Sequence, residues 1–315
     1  MEYRFLGKTA LRVSRLCFGT LTIGPLQANL SVAKGARLIE LALDQGVNFV
    51  DTAELYGTYP HIRRAIRQRD CKPVIASKSY AHTREKMKLS LQRALDGMDL
   101  PAVDIFLLHE QESDYTLKGH REALDYLLEA KRDGLVRAVG FSCHTVAALR
   151  AALGMPEIDV VHPLVNIGGV GIRDGTVTEM LSVIASLSEK GVGIFAMKPL
   201  AGGHLIAKNE EALSFVRRQP QLDSIAVGMV TAEEINFNCA FFSGQNLPVD
   251  LAETLRRAKR RLQVQYWCSG CGSCVVHCPQ DALKVRAGRA HVEQKDCILC
   301  GYCGAHCPDF CLKIY

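Results

Sequence analysis

The chain has 315 residues, 48% hydrophobic and 23% charged, with a formal net charge of +5. That composition suits one large globular domain with room for a small one, and it excludes a disordered or collagen-like chain. No apolar run reaches the ~18 residues that span a bilayer, no charged-then-apolar leader opens the chain, and positive charge is concentrated only at Arg256, Arg257 and Lys259–Arg261. A cytoplasmic protein that binds neither membrane nor nucleic acid is expected.

Residues 2–16 alternate around a turn at Gly7, Lys8 and Thr9 and predict a β-hairpin. Short, almost uninterrupted apolar runs follow at 16–20, 47–52, 73–77, 103–108, 136–141, 160–166, 192–197 and 224–228, the pattern of strands buried on both faces. Amphipathic segments separate them at 32–45, 60–69, 83–97, 119–133, 144–153, 176–190, 209–219 and 231–243. In 83–97, Met87, Leu91, Ala94 and Leu95 recur at helical spacing. Gly46, Gly97, Gly134, Gly154 and Gly191 are expected as left-handed helix exits. Alternating strand–helix units imply a parallel sheet. Eight of them at this length favour a closed (β/α)8 TIM barrel over an open doubly wound sheet, although periodicity itself does not show closure. A basic helix is expected over 250–263, and the domains are expected to be a barrel at 1–262 and a small ferredoxin-like α+β domain at 263–315.

Of 13 cysteines, eight fall into two copies of one run: Cys268, Cys271, Cys274, Cys278 before Pro279, and Cys297, Cys300, Cys303, Cys307 before Pro308. This is the spacing of bacterial two-cluster ferredoxins, in which three thiolates of a tight loop bind one cluster and the fourth reaches the other. Cys268, Cys271, Cys274 and Cys307 are therefore assigned to one 4Fe–4S cluster, and Cys297, Cys300, Cys303 and Cys278 to the second. Zinc sites use separated pairs, and disulfides belong to oxidising compartments. Cys311 lies outside both runs and is read as a non-ligand. With Cys17, Cys71, Cys143 and Cys239 it belongs to a scattered set, most of which are expected to be small buried hydrophobes. Residues 282–285 and 290–293 read as short strands.

In a barrel of this type, the functional side chains sit at the C-terminal strand ends. Three consecutive ends deliver Asp51, Lys78 and His109, and Tyr56 follows Asp51 in a loop. Asp51 can hold the Lys78 ammonium, that charge would favour phenolate at Tyr56, and Tyr56 can give a proton to a carbonyl oxygen while His109 orients it. Taken singly, a strand-end His or Lys is usually capped or solvated. Four suitable groups in this order are harder to dismiss.

Residues 1–245 resemble the aldo-keto reductases. The likeness rests on the hairpin with Leu6–Thr9, on Phe18–Thr20, on Asp51, Thr52, Ala53, Tyr56 and Gly57, on Lys78, on Leu107–His109, on Gly140–Ser142 and on the closing pattern Gly228, Met229, Thr231 and Asn238. With the tail, the chain resembles the ferredoxin-fused members of that family, found mainly in anaerobic prokaryotes. The resemblance implies a nicotinamide cofactor across the barrel top, a small carbonyl substrate, and Asp51, Tyr56, Lys78 and His109 as the catalytic tetrad. It also implies cofactor contacts at Gly19, Thr20, Ser142, Asn166, Lys198, Gly228 and Asn238. Cys143 stands where the family has Asn, and His162–Pro163 where it has a strand-6 Gln. Val230 stands where a basic residue contacts the 2′-phosphate of NADP, and valine cannot bind phosphate. Gly169, Gly171, Gly202 and Gly203 could admit a pyrophosphate, with Arg173 and Lys198 as candidate phosphate partners.

Clusters pass single electrons and nicotinamide passes a hydride, and proteins that couple the two usually place a flavin between them. The sequence carries no flavin signature, although barrels bind flavin without a local motif. Three readings follow. One is an NAD(P)H-dependent carbonyl reductase whose clusters serve structure, sensing or docking of a ferredoxin or other redox partner. The second is a cluster-fed one-electron reductase without nicotinamide. The third is a non-enzymatic electron-transfer subunit.

Overall fold

The computed structural model describes residues 1–245 and 260–315. Strands β1 (Tyr3–Phe5) and β2 (Arg12–Ser14) form an antiparallel hairpin. Eight parallel strands then close into a barrel: β3 (Leu16–Gly19), β4 (Phe49–Asp51), β5 (Val74–Ser79), β6 (Val103–Gln111), β7 (Val136–Cys143), β8 (Val160–Pro163), β9 (Gly193–Met197) and β10 (Ser224–Gly228). β10 pairs with β3, which is the closure the sequence pattern left open.

Side chains alternate across each strand, so two cores form. Cys17, Phe49, Ala76, Ile105, Leu107, Ala138, Val160, Phe195 and Ala226 fill the barrel interior, and Leu6, Leu11 and Val13 of the hairpin plug its base. The Phe49 and Phe195 rings meet at 5.0 Å between centroids. Their strand neighbours Leu16, Phe18, Val50, Phe106 and Leu108 face outward into the larger core beneath the helices.

The outer layer comprises α1 (Val32–Asp44), α2 (Tyr59–Ile66), α3 (Arg84–Met98), α4 (Asp114–Gly119), α5 (Arg121–Arg132), α6 (Val146–Ala152), α7 (Val177–Glu189), α8 (Asn209–Arg217) and α9 (Ala232–Phe242). Hydroxyls of Ser31, Thr83, Thr145, Thr176 and Thr231 accept from backbone N–H groups in the first turns of α1, α3, α6, α7 and α9. Each such cap contributes about 1 kcal/mol. Helix α4 was not expected; Ser113 and Thr116 close a capping box around its first turn.

Two of the five expected glycine exits differ. Gly97 lies inside α3, and Asp99 takes the left-handed exit at φ 59°. A Cβ at Gly97 would sit 3.0 Å from the Tyr59 ring, so this glycine serves close packing of α2 on α3. Gly154 follows α6 without a positive φ, whereas Gly46, Gly134 and Gly191 do turn left-handed. Most of the basic helix expected over 250–263, with Arg256, Arg257 and Lys259, lies outside the described residues. Its expected end is instead a strand, β11 (Leu262–Val264).

In the tail, β11 pairs antiparallel with β14 (Leu312–Ile314), and β12 (Leu283–Arg286) with β13 (Arg289–Val292). Two short helices, Ser273–Val276 and Tyr302–Ala305, begin after left-handed Gly272 and Gly301 and bury Cys274 and Cys303. The tail packs on the barrel mouth. His204, in the loop after β9, donates from Nε2 to the Leu312 carbonyl at 2.9 Å. A Cβ at Gly203 would stand 1.9 Å from the Ile314 carbonyl oxygen, and Gly203 already has φ +96°. Gly203→Ala is therefore expected to push β14 off this loop and to lower stability by ~1–3 kcal/mol. Anaerobic denaturant unfolding measures this; an unchanged midpoint would show that the contact does not form in solution.

Candidate active site and cluster centres

At the barrel mouth, Lys78 and Asp51 form a buried ion pair, Nζ to Oδ1 at 2.6 Å, and the same ammonium donates to the Thr52 carbonyl at 2.7 Å. Both side chains are nearly inaccessible to solvent. The Lys78 ammonium lies 5.0 Å from the centre of the Tyr56 ring, and the His109 ring meets Tyr56 edge-on at 5.8 Å. The four residues that the sequence singled out thus converge.

The loop carrying Tyr56 is held from below. A 3₁₀ turn at Glu54–Tyr56 ends at left-handed Gly57, φ 65°. The Thr58 hydroxyl bonds those of Thr20 and Thr52, each at 2.8 Å. Ser79 and Ser90 donate to one Glu54 oxygen at 2.8 Å each, and Arg93 to the other.

Protonation follows from burial. Burial pushes the Tyr56 phenol well above its ordinary value, and the carboxylates of Asp51 and Glu110 add to the shift. This reverses the expectation that Lys78 would favour phenolate. The physical reason is that the Lys78 charge is neutralised at 2.6 Å by Asp51, so the phenol sees a compensated pair inside a poorly solvated wall. Tyr56 is therefore protonated at neutral pH. Burial also raises Asp51 above the usual carboxylate value, against the pull of Lys78. His109 is pushed down to about 3 by burial and then by Lys78, so it is neutral across the physiological range.

Several contributors carried no sequence signal. Tyr80 stacks on His109 at 4.3 Å and donates to Glu110 Oε2 at 2.7 Å. Glu110 adopts φ 48° where the register between β6 and β7 shifts. His162 stacks on Phe195, donates from Nδ1 to its carbonyl and places Nε2 3.8 Å from Asp51. His162 is the exception: it stands at a strand end in place of the family's strand-6 Gln.

Asp51 and Tyr56 line a cavity of about 150 Å³ between the mouth and the tail; Lys78 and His109 are not among its lining residues. Gly19, Lys198 and Gly228 also line it, together with Lys313, Ile314 and Tyr315 from the tail. Three expected cofactor contacts are bonded elsewhere. Thr20 is tied to Thr58, Ser142 accepts from the Glu110 N–H at 2.8 Å, and Asn166 is bonded through both side-chain ends to Val170. Asn238 keeps a buried oxygen without a partner among the described residues. Lys198 donates to His144 Nε2 at 2.7 Å, and Arg173 pairs with Glu112. Gly171, Gly202 and Gly203 admit Phe310, Lys313 and Ile314 of the tail, the close approach that the sequence had offered to a pyrophosphate.

In the tail, Cys278, Cys297, Cys300 and Cys303 line one enclosed space, and Cys268, Cys271 and Cys307 are electrostatic neighbours of Cys274. These are the two sets assigned from spacing. Among the described residues, no set of three or more His, Cys, Asp or Glu side chains closes on a single metal ion. Backbone N–H groups of Ala282, Ala290 and Cys311 donate to the sulfurs of Cys278, Cys268 and Cys307 at 3.3, 3.5 and 3.3 Å, bonds of the kind that tune cluster potentials. The donor sets therefore fit two clusters. Cys311 is buried, with Sγ 3.4 Å from that of Cys307, while Cys71 is exposed.

The model of the Aldo/keto reductase family matches residues 15–259. The chain belongs to that family. A 4Fe-4S dicluster domain matches residues 262–308, so this is an aldo/keto reductase carrying an iron–sulfur domain. It is 26% identical over 292 residues to the uncharacterized oxidoreductase YrpG of Bacillus subtilis, covering 81% of this chain and 83% of that one. It is 24% identical over 217 residues to L-galactose dehydrogenase of Arabidopsis thaliana, covering 65% and 67%. An aldo-keto reductase from Bacillus halodurans superimposes with a TM-score of 0.66 at 20% identity, covering 82% of this chain and 97% of that structure, which bears on the fold alone. Members of the family commonly use NAD(P)H. Gly19, Lys198 and Gly228, at the ends of β3, β9 and β10, line the cavity and are the expected cofactor contacts that fit a nicotinamide nucleotide there. Val230, which also lines the cavity, offers no charge to a 2′-phosphate.

Proposed function

We propose that this iron–sulfur aldo/keto reductase reduces a carbonyl group, aldehyde or ketone, in the cavity at the barrel mouth, with Tyr56 as the proton donor. The observation that carries the reading is a protonated Tyr56 lining that cavity directly in front of the buried Asp51–Lys78 pair. A nicotinamide held there by Gly19, Lys198 and Gly228 would supply hydride chemistry at the carbonyl carbon. Tyr56 gives its proton to the oxygen as it becomes an alkoxide, a stronger base than phenolate, so donation is downhill despite the raised phenol. Asp51 holds Lys78 beside the Tyr56 ring, and neutral His109 meets that ring edge-on, so the two position the phenol toward the cavity. Hydride and proton together complete a two-electron reduction to the alcohol.

The domain boundary is placed at 262/263, close to the gap between the two family matches. A ferredoxin or similar carrier is the proposed partner of the tail, and the cytoplasm its compartment.

One observation favours a second reading. The tail strand that follows Cys307 walls the same cavity as Tyr56. Reduced clusters would then deliver electrons singly, two per carbonyl, with Tyr56 protonating oxygen and water protonating carbon. Anaerobic assays of the reconstituted protein separate the readings. The first expects oxidation of NADH or NADPH by small aldehydes or ketones. Turnover with dithionite or reduced ferredoxin alone would replace it with the second, and no carbonyl turnover with any donor would remove both.

A further inference from the structure

Lys313 sits on β14, is only 4% exposed, and its amine has no hydrogen-bond partner among the described residues. It lines the cavity that Tyr56 lines. Its Nζ stands 3.2 Å from the centre of the Phe310 ring, and Lys198 approaches the same ring at 5.0 Å. Two lysine amines thus lie against one aromatic ring beside a cavity. Burial pushes both amines down, Lys313 well below its ordinary value and Lys198 to about 8, and the carboxylate of Glu110 only partly offsets this. Lys198 donates to His144, which is a neutral acceptor there. Glu110, the nearby carboxylate, accepts from Tyr80 and lies 3.6 Å from His144. Glu234, which also lines the cavity, accepts from the Val230 N–H at 2.7 Å and faces Arg260 at 4.0 Å.

A buried ammonium without a counter-charge is costly, and its neighbour of like charge adds to the cost. The backbone maintains the arrangement at further expense, since Lys198 and Phe310 are both held in left-handed conformations, φ 58° and 47°. Such departures persist where surrounding structure enforces them, commonly at ligand sites. An oxyanion in the cavity that both lysines line would favour their charged forms and accept the unused hydrogen bonds of Lys313.

We propose that the cavity between barrel mouth and tail holds an oxyanion, a carboxylate or a phosphate, against Lys313, with Lys198 as the second cation. This deepens the proposed reaction by giving the occupant an acidic group: either the carbonyl substrate is an acid, or the group belongs to a nucleotide. In both cases the cluster domain completes the barrel's binding site, because Lys313 comes from the tail.

Calorimetric titration of the full chain, clusters reconstituted anaerobically, with pyruvate and with inorganic pyrophosphate tests this without turnover. At least one probe is expected to bind, and which one binds distinguishes substrate carboxylate from nucleotide phosphate. Raising salt should weaken binding. Lys313→Met should weaken it ~10- to 100-fold, the loss of a charge-assisted hydrogen bond, and Lys313→Arg should restore most of it. Tyr56→Phe should bind the probe like the parent, so failure of the anion site and failure of the proton-donor reading give different results. No binding of either anion, salt-independent binding, or unchanged binding by Lys313→Met would overturn the proposal.

Discussion

Tyr56→Phe is expected to lower kcat for carbonyl reduction by about 10²–10⁴-fold, the usual contribution of a positioned general acid, while ligand binding stays close to that of the parent. The substitution removes one hydroxyl from a half-buried ring and leaves intact the Thr20–Thr58–Thr52 bonds that hold the loop. Loss should therefore appear in kcat more than in KM. Because burial raises the phenol well above its ordinary value, no activity loss from Tyr56 ionisation should appear between neutrality and pH 9. Steady-state kinetics across pH check both statements. A variant as active as the parent would move the proton donor elsewhere.

Lys78→Met carries the largest expected effect on stability. It leaves the buried Asp51 carboxylate without its 2.6 Å partner, and breaking such a pair costs about 3–5 kcal/mol. The sign with pH is defined. Asp51 already sits above its ordinary value through burial, and removing the ammonium raises it further. The native variant then holds a proton that the unfolded chain releases near ~3.9. Stability lost at neutral pH should thus return as pH falls toward that value. Anaerobic urea unfolding at several pH values measures it. An additional Asp51→Leu change should recover much of the loss at pH 7, as replacing buried ion pairs by apolar residues often does. A deficit independent of pH would place the cost in lost packing of the lysine stem.

Much of this site was legible locally because its parts are strand ends. Asp51, Lys78 and His109 each follow a buried run, and a parallel barrel brings consecutive ends together. The cysteine sets were legible because ligand spacing is itself local geometry. The direction of the Tyr56 shift was not legible. It depends on burial and on Glu110, whose carboxylate reaches the site through a kink at the end of β6. The role of Gly97 is hidden from the sequence for a similar reason: it is set by the ring of Tyr59 on a neighbouring helix.

By itself the sequence determined the eight strand–helix units, the order of tetrad residues around the mouth and the two thiol sets, all products of periodicity or short spacing. Tertiary structure alone decided that the barrel closes through β10 and β3, and that Gly202 and Gly203 receive the last strand of the tail. It also decided that Lys313 reaches a cavity shared with Tyr56. These contacts join residues more than a hundred positions apart. Only the docking of one folded surface on another creates them, and no local pattern encodes that docking.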